Sequence, residues 1–144
     1  LGFVALPFRG AYNASKYAIE GLSDTLRLEL QGSNIHVSLI EPGPIASQFR
    51  TNAVKALSKY IDIANSFHRE RYQGVLNRLN KPGPAVPFTL PPEAVLERVI
   101  HALEASRPQA RYYVTFPTHL FGLLKRILST RALDVLLAKS GNNN

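Results

Sequence analysis

Apolar residues recur at every fourth position along the first part of the chain, at Ala14, Ala18, Leu22, Leu26 and Leu30, with Ile19 and Leu28 beside them. That spacing places them on one face of a helix, expected over residues 11–31 and closed by Gly32, the residue type that most often follows a helix end. The period then changes. Ile35-His36-Val37-Ser38-Leu39-Ile40 is short, mostly apolar and rich in β-branched residues, as a buried parallel strand is. Glu41-Pro42-Gly43-Pro44 breaks it. Residues 46–80 are polar and helical in composition with weaker periodicity, and Lys81-Pro82-Gly83-Pro84 with Pro87, Pro91 and Pro92 forms a stiff connector. A second clear helix begins at Pro92-Glu93, with Val95, Val99, Ile100 and Leu103 on one face and an acid in its first turn. Arg111 to Phe116 reads as a second strand, residues 118–138 as an amphipathic helix or pair of helices, and Asn142-Asn143-Asn144 as a fraying tail.

Helix, strand, long excursion, helix, strand is a βαβ pattern with an insertion. A right-handed crossover sets its two strands parallel in one sheet. The fold class is therefore α/β. Two parallel strands alone make no viable core, because parallel strands need neighbours at their edges and cover on both faces. Further strands are expected ahead of Leu1, and the absence of any methionine in the 144 residues agrees with an incomplete chain.

Composition narrows the chemistry. There is no cysteine, so no disulfide framework, thiolate metal site or thiol nucleophile; this fits a reducing compartment, and a cytoplasmic location is expected. His36, His68, His101 and His119 are scattered without metal-ligand spacing, and no metal site is expected. No apolar run is long enough to span a bilayer. The formal charge of +7 is uneven: residues 1–72 carry eight basic and six acidic side chains, and residues 73–144 nine and four. Such a bias suits an anionic partner, such as a phosphorylated cofactor or a lipid surface, or else a plain solvated face. No nucleic-acid motif accompanies it, and no nucleic-acid partner is expected.

Two short segments carry candidate chemistry. Tyr12-Asn13-Ala14-Ser15-Lys16 opens the first helix, and a spacing of four sets phenol and ammonium one turn apart on one face. A cation beside a phenol favours the phenolate, which makes a usable proton donor or acceptor. The plain alternative is a surface Tyr–Lys pair. Ile40-Glu41-Pro42-Gly43-Pro44-Ile45-Ala46-Ser47 follows the first strand, and ligands in open α/β sheets bind outside such strand ends. Its plain alternative is a strand-ending turn.

Taken together and in this order, Gly10-Ala11-Tyr12-Asn13-Ala14-Ser15-Lys16-Tyr17-Ala18-Ile19-Glu20-Gly21, then Leu26-Arg27-Leu28-Glu29-Leu30, the strand, and Pro42-Gly43-Pro44-Ile45 closely resemble the short-chain dehydrogenase/reductase family. The likeness is strongest over residues 1–50. It implies the C-terminal half of a doubly wound Rossmann-type sheet, with the N-terminal half missing. It divides residues 1–144 into a catalytic helix, strand and Pro-Gly cofactor loop (1–50), a variable substrate-binding excursion (46–90), and a last helix, strand and C-terminal amphipathic helices (91–144). It implies hydride transfer between NAD or NADP and an alcohol or carbonyl substrate. Tyr12 is then the general acid/base, and Lys16 binds the nicotinamide ribose. Pro42, Gly43, Ile45 and Ser47 contact the cofactor, Ser47 standing where threonine is more common. Phe49, Tyr60, Phe67 and Tyr72 are candidates for an apolar substrate pocket, or for packing within the excursion. The complete enzyme is expected to be a homo-oligomer.

The family's glycine-rich phosphate turn, its Asn-Ala-Gly segment, its catalytic serine and its structural asparagine are not in this sequence. The chain alone is therefore expected to hold half an active site and to bind NAD(P) poorly. Two other readings stay open. One is an epimerase or dehydratase of the same superfamily, against which the Pro-Gly-Pro-Ile segment argues. The other is a non-catalytic module that meets anionic membrane through the basic C-terminal helices, with Lys125, Arg126 and Arg131.

Overall fold

In the computed structural model, which describes residues 2–84 and 86–142, the chain is mostly helical around a small parallel sheet. Helix α1 spans Gly10–Glu29, close to the span its fourfold periodicity predicts. The chain leaves it through a turn at Gly32, whose φ of 82° is left-handed. Strand β1 (Leu39–Glu41) follows, then helices α2 (Phe49–Tyr60), α3 (Arg69–Asn80) and α4 (Glu93–Glu104). Strand β2 (Arg111–Tyr113) and helices α5 (Phe116–Ile127) and α6 (Thr130–Asn142) complete the order.

The two strands pair in parallel, with Leu39, Ile40 and Glu41 opposite Arg111, Tyr112 and Tyr113. This is the α/β arrangement the βαβ pattern predicts. Both strands are shorter than their apolar runs. The ladder extends only as far as β2 runs beside β1; at residue 38 a side chain replaces it, the Ser38 hydroxyl donating to the Gln109 carbonyl at 2.8 Å. The downstream strand ends at Tyr113 because α5 starts at Phe116, with Pro117 in its first turn. The C-terminal region is a pair of helices.

Beyond the Pro-Gly turn the chains meet once more. Ala46 donates to the Leu90 carbonyl (2.9 Å) and Leu90 to the Pro44 carbonyl (3.1 Å). These two bonds close the base of the 46–90 excursion. Inside it, one side chain ties α2 to the end of α3. The Arg50 guanidinium donates to the carbonyls of Arg78 (2.9 Å), Leu79 (3.1 Å), Gly83 (2.8 Å) and Lys81, at and beyond the C-terminal end of α3, where helical pairing of carbonyls runs out. A guanidinium has five N–H donors in a fixed fork, and lysine cannot reproduce four such bonds. Arg50→Lys is therefore expected to loosen this helical pair, read as faster amide exchange over residues 49–83; unchanged exchange would show that the bonds carry little.

The buried core is thin. It comprises Val4, Tyr112, Val114 and Leu137 with the polar Asn13, Glu41, Thr115 and Thr118, centred where the strands run into α5. The Tyr112 hydroxyl accepts from the Gln109 N–H and meets His101 Nδ1, each at 2.9 Å, which docks α4 on β2. Gly122 lets α5 approach β2 closely, since an added Cβ would stand 3.0 Å from the Tyr113 ring. By contrast, the apolar stripe of α1 is uncovered among the described residues: Leu22 is 61 % and Leu28 59 % exposed. None of the described helices is long and apolar enough to cross a membrane.

Candidate active site

The helical spacing of four brings Tyr12 and Lys16 together as expected. Lys16 Nζ lies 5.5 Å from the centroid of the Tyr12 ring. Across from them stands the start of α2, where Phe49 meets Tyr12 edge to face with centroids 5.8 Å apart. The Ser47 hydroxyl lies at the same end of α2 and accepts from the Phe49 N–H at 3.3 Å. One candidate substrate residue thus meets the phenol ring, and one candidate cofactor residue bonds the backbone of that neighbour.

Below this group, a side chain the sequence does not single out fixes the helix. Asn13 is buried and donates from Nδ2 to the Leu6 carbonyl at 3.1 Å, tying the segment before α1 onto the helix. Ser15 turns its hydroxyl back to the Tyr12 carbonyl (2.8 Å) and serves the helix itself.

The Pro-Gly turn is positioned from behind. Gly43 has a φ of 75°, and a Cβ there would overlap the hydroxyls of Thr115 and Thr118. Those hydroxyls bond each other at 3.0 Å, and Thr115 is wholly buried. One side of Gly43 is therefore filled by the start of α5 while the other remains exposed. Gly43→Ala combines left-handed backbone strain with this overlap and is expected to cost about 1–3 kcal/mol of stability. Chemical denaturation of the variant measures this, and a loss well under the lower figure would mean that the turn is not constrained as described.

An ion cluster links the turn to the helix that carries Tyr12. The Arg111 guanidinium on β2 bonds Glu41 (2.8 Å) at the end of β1, both oxygens of Asp24 (3.0 and 2.9 Å) on α1, and Glu20 on α1. Burial works against the charged guanidinium, yet the bonds to Glu20 and Glu41 and the charges of Glu20 and Asp24 outweigh it and raise its pKa. Three carboxylates meet this guanidinium, and Asp24 also pairs with Arg27 at 2.8 Å. Burial, then repulsion from Glu20, hold the Glu41 carboxyl above its ordinary value in spite of Arg111, and its buried Oε2 has no hydrogen-bond partner among the described residues. Because the folded-state value is raised, the stability linked to Glu41 is fully present below the ordinary carboxylate range and is lost as pH rises through the folded value. Glu41→Gln should therefore flatten the dependence of the melting temperature on pH just above about pH 4. A variant with an unchanged profile would place the titration elsewhere.

The remaining candidate aromatics lie in other places. Tyr72 packs against Phe8 (5.9 Å), which also meets His68 (5.3 Å). Phe67 touches His68 (5.2 Å) but is 97 % exposed, and Tyr60 lies beneath its neighbour Lys59. A shallow concavity of about 510 Å³ on α3, lined by Arg69, Glu70, Gln73, Gly74 and Asn77, holds none of the candidate residues. Nearby, burial and the charge of Arg78 push the Arg9 guanidinium below its ordinary value, and burial and Arg50 do the same to Arg78. No group of three or more metal-ligating side chains stands together among the described residues.

Residues 1–58 match the family model described as short chain dehydrogenase. The chain is 42 % identical over 137 residues to the uncharacterized oxidoreductase YbbO of Escherichia coli strain K12, covering 95 % of this chain and 45 % of that protein. It is 31 % identical over 138 residues to the NADPH-dependent 3-dehydrocapnine reductase of Ornithobacterium rhinotracheale, covering 96 % of this chain and 47 % of the relative. With human 17-beta-hydroxysteroid dehydrogenase type 1 the identity is 34 % over 116 residues, 79 % of this chain and 34 % of the enzyme. The chain thus spans about half the length, or less, of the curated relatives it matches.

Proposed function

Since the chain belongs to the short-chain dehydrogenase/reductase family, we propose that it supplies the proton-transfer half of an oxidoreductase site, and that the whole protein interconverts an alcohol and a carbonyl with NAD or NADP. The observation that carries this reading is the convergence on Tyr12: the Lys16 ammonium one helical turn away and Phe49, at the start of α2, against its ring. The donor set fits a nicotinamide nucleotide. Lys16 offers an ammonium for ribose hydroxyls, Ser47 an exposed hydroxyl, and Gly43 an exposed backbone face, with Pro42 and Ile45 beside it. When bound, the nicotinamide would supply or accept the hydride.

The residues of the chain do the rest. In the direction of reduction, the Tyr12 hydroxyl gives its proton to the carbonyl oxygen as that oxygen gains negative charge; in oxidation the phenolate takes it back. Lys16 stabilises negative charge on the phenol oxygen and orients the ribose. The excursion formed by α2 and α3 covers the substrate side, with Phe49 nearest the phenol. The reductase named for 3-dehydrocapnine uses NADPH, which favours testing that cofactor first. Residues 1–50 act as the catalytic and cofactor-loop segment, 46–90 as the substrate excursion and 91–144 as the closing helix, strand and helix pair.

The test is consumption of NADPH or NADH by the full-length protein in the presence of a panel of aliphatic, aromatic and steroid aldehydes and ketones. Turnover with at least one carbonyl is the expected result. No turnover with either cofactor across the panel, in either direction, would reject the oxidoreductase reading.

A further inference from the structure

Helix α5 is inverted relative to an ordinary surface helix. The side it turns toward β2 carries Thr118 and Gly122, both buried, while Phe116, Leu120, Leu123 and Ile127 fall on one face that points to solvent. These four are 57, 38, 57 and 67 % exposed. Phe88, 60 % exposed, extends the strip by packing on Phe116 with ring centroids 5.2 Å apart. Val135 and Leu136 on α6 are also open to solvent. A contiguous apolar strip of this kind marks a docking surface.

Charge decides what docks there. Residues 116–139 hold four basic side chains (Lys125, Arg126, Arg131 and Lys139) and a single acid, Asp134. Lys125 is engaged with the Tyr17 ring on α1, 5.1 Å from its centroid, but Arg126 and Arg131 are exposed beside the strip. A second copy of this chain would bring the same basic face, and a formal charge of +7, against its like. An anionic bilayer offers the complement: headgroup charge for the arginines and an acyl boundary for the strip.

We propose that the exposed face of α5, with Arg126 and Arg131, is a docking surface for anionic lipid membrane, holding the protein peripherally at the bilayer. This inference does not depend on the oxidoreductase reading, and its test needs no turnover.

The experiment is flotation of the full-length protein with vesicles of phosphatidylcholine alone and of phosphatidylcholine with one-quarter phosphatidylserine. Binding is expected to the second kind only and to weaken with added salt. Each neutralisation, Arg126→Gln or Arg131→Gln, should weaken binding roughly fivefold, as expected for a cation near an anionic surface. Leu123→Ser with Ile127→Ser should abolish it; both side chains are exposed, so helix content by circular dichroism should be retained. Equal binding to both vesicle types, no binding to either, or binding unchanged in the serine variant would each overturn the proposal. So would concentration-dependent dimerisation that the serine variant removes in a protein that ignores vesicles.

Discussion

Tyr12→Phe is expected to lower kcat of the full-length enzyme by about 10²–10⁴, the usual loss when a positioned proton donor is removed. The ring stays, so its contact with Phe49 and the packing of α2 against α1 should persist. KM for the cofactor should hardly move if, as proposed, the phenol oxygen acts on the reacting carbonyl. Turnover within a few-fold of the wild type would remove Tyr12 from the chemistry and leave the Tyr12–Lys16 pair a feature of the helix surface.

The second large effect concerns stability. Arg111→Met is expected to destabilise the fold by about 2–3 kcal/mol, below the range for breaking a fully buried ion pair because the guanidinium is 26 % exposed. The cost arises mainly at Glu41, whose side chain is 7 % exposed and would lose the cation it is hydrogen-bonded to. Glu20 would then repel it with Arg111 no longer offsetting the repulsion. Because this cluster joins α1, the end of β1 and β2, its loss should also let the turn at Gly43 drift from Tyr12. Urea denaturation measures the first effect and a rise in cofactor KM the second. Arg111→Lys, which keeps the charge but not the fork, should fall between. A Met variant as stable as the wild type would show that the cluster is a solvated surface network.

Much of this architecture is legible in the sequence because its signals are local. The fourfold apolar spacing from Ala14 to Leu30 gives α1 and the spacing of Tyr12 and Lys16 gives their approach, whereas the second strand, expected to reach Phe116, stops at Tyr113 because α5 already begins at Phe116. Strand length is less legible. Ile35 to Ile40 is apolar enough for a long central strand, yet a ladder needs a partner, and β2 pairs with only three residues. The supports of the site are not legible at all. Arg50 bonds carbonyls 28–33 residues away, and carbonyls leave no trace in residue identity. Arg111 meets acids 70–91 residues away. The one local hint is that Glu20 and Asp24 lie four apart on α1, an acidic pair that a cation facing it would relieve. At Gly43 the sequence suggests close approach of a ligand; the structure adds that Thr115 and Thr118 already fill the opposite side.

Cofactor affinity tests the central claim most directly, because it separates the two residues of the pair without depending on the identity of the substrate. NADPH and NADH fluorescence titrations of the full-length protein should show that wild type and Tyr12→Phe bind the preferred cofactor equally. Lys16→Ala should bind it at least about tenfold more weakly, as expected when a charged hydrogen-bond donor is removed. Failure of the wild type to bind either cofactor, or a Lys16→Ala variant that binds as tightly as the wild type, would contradict the assignment of Tyr12 and Lys16 to a nicotinamide-dependent site.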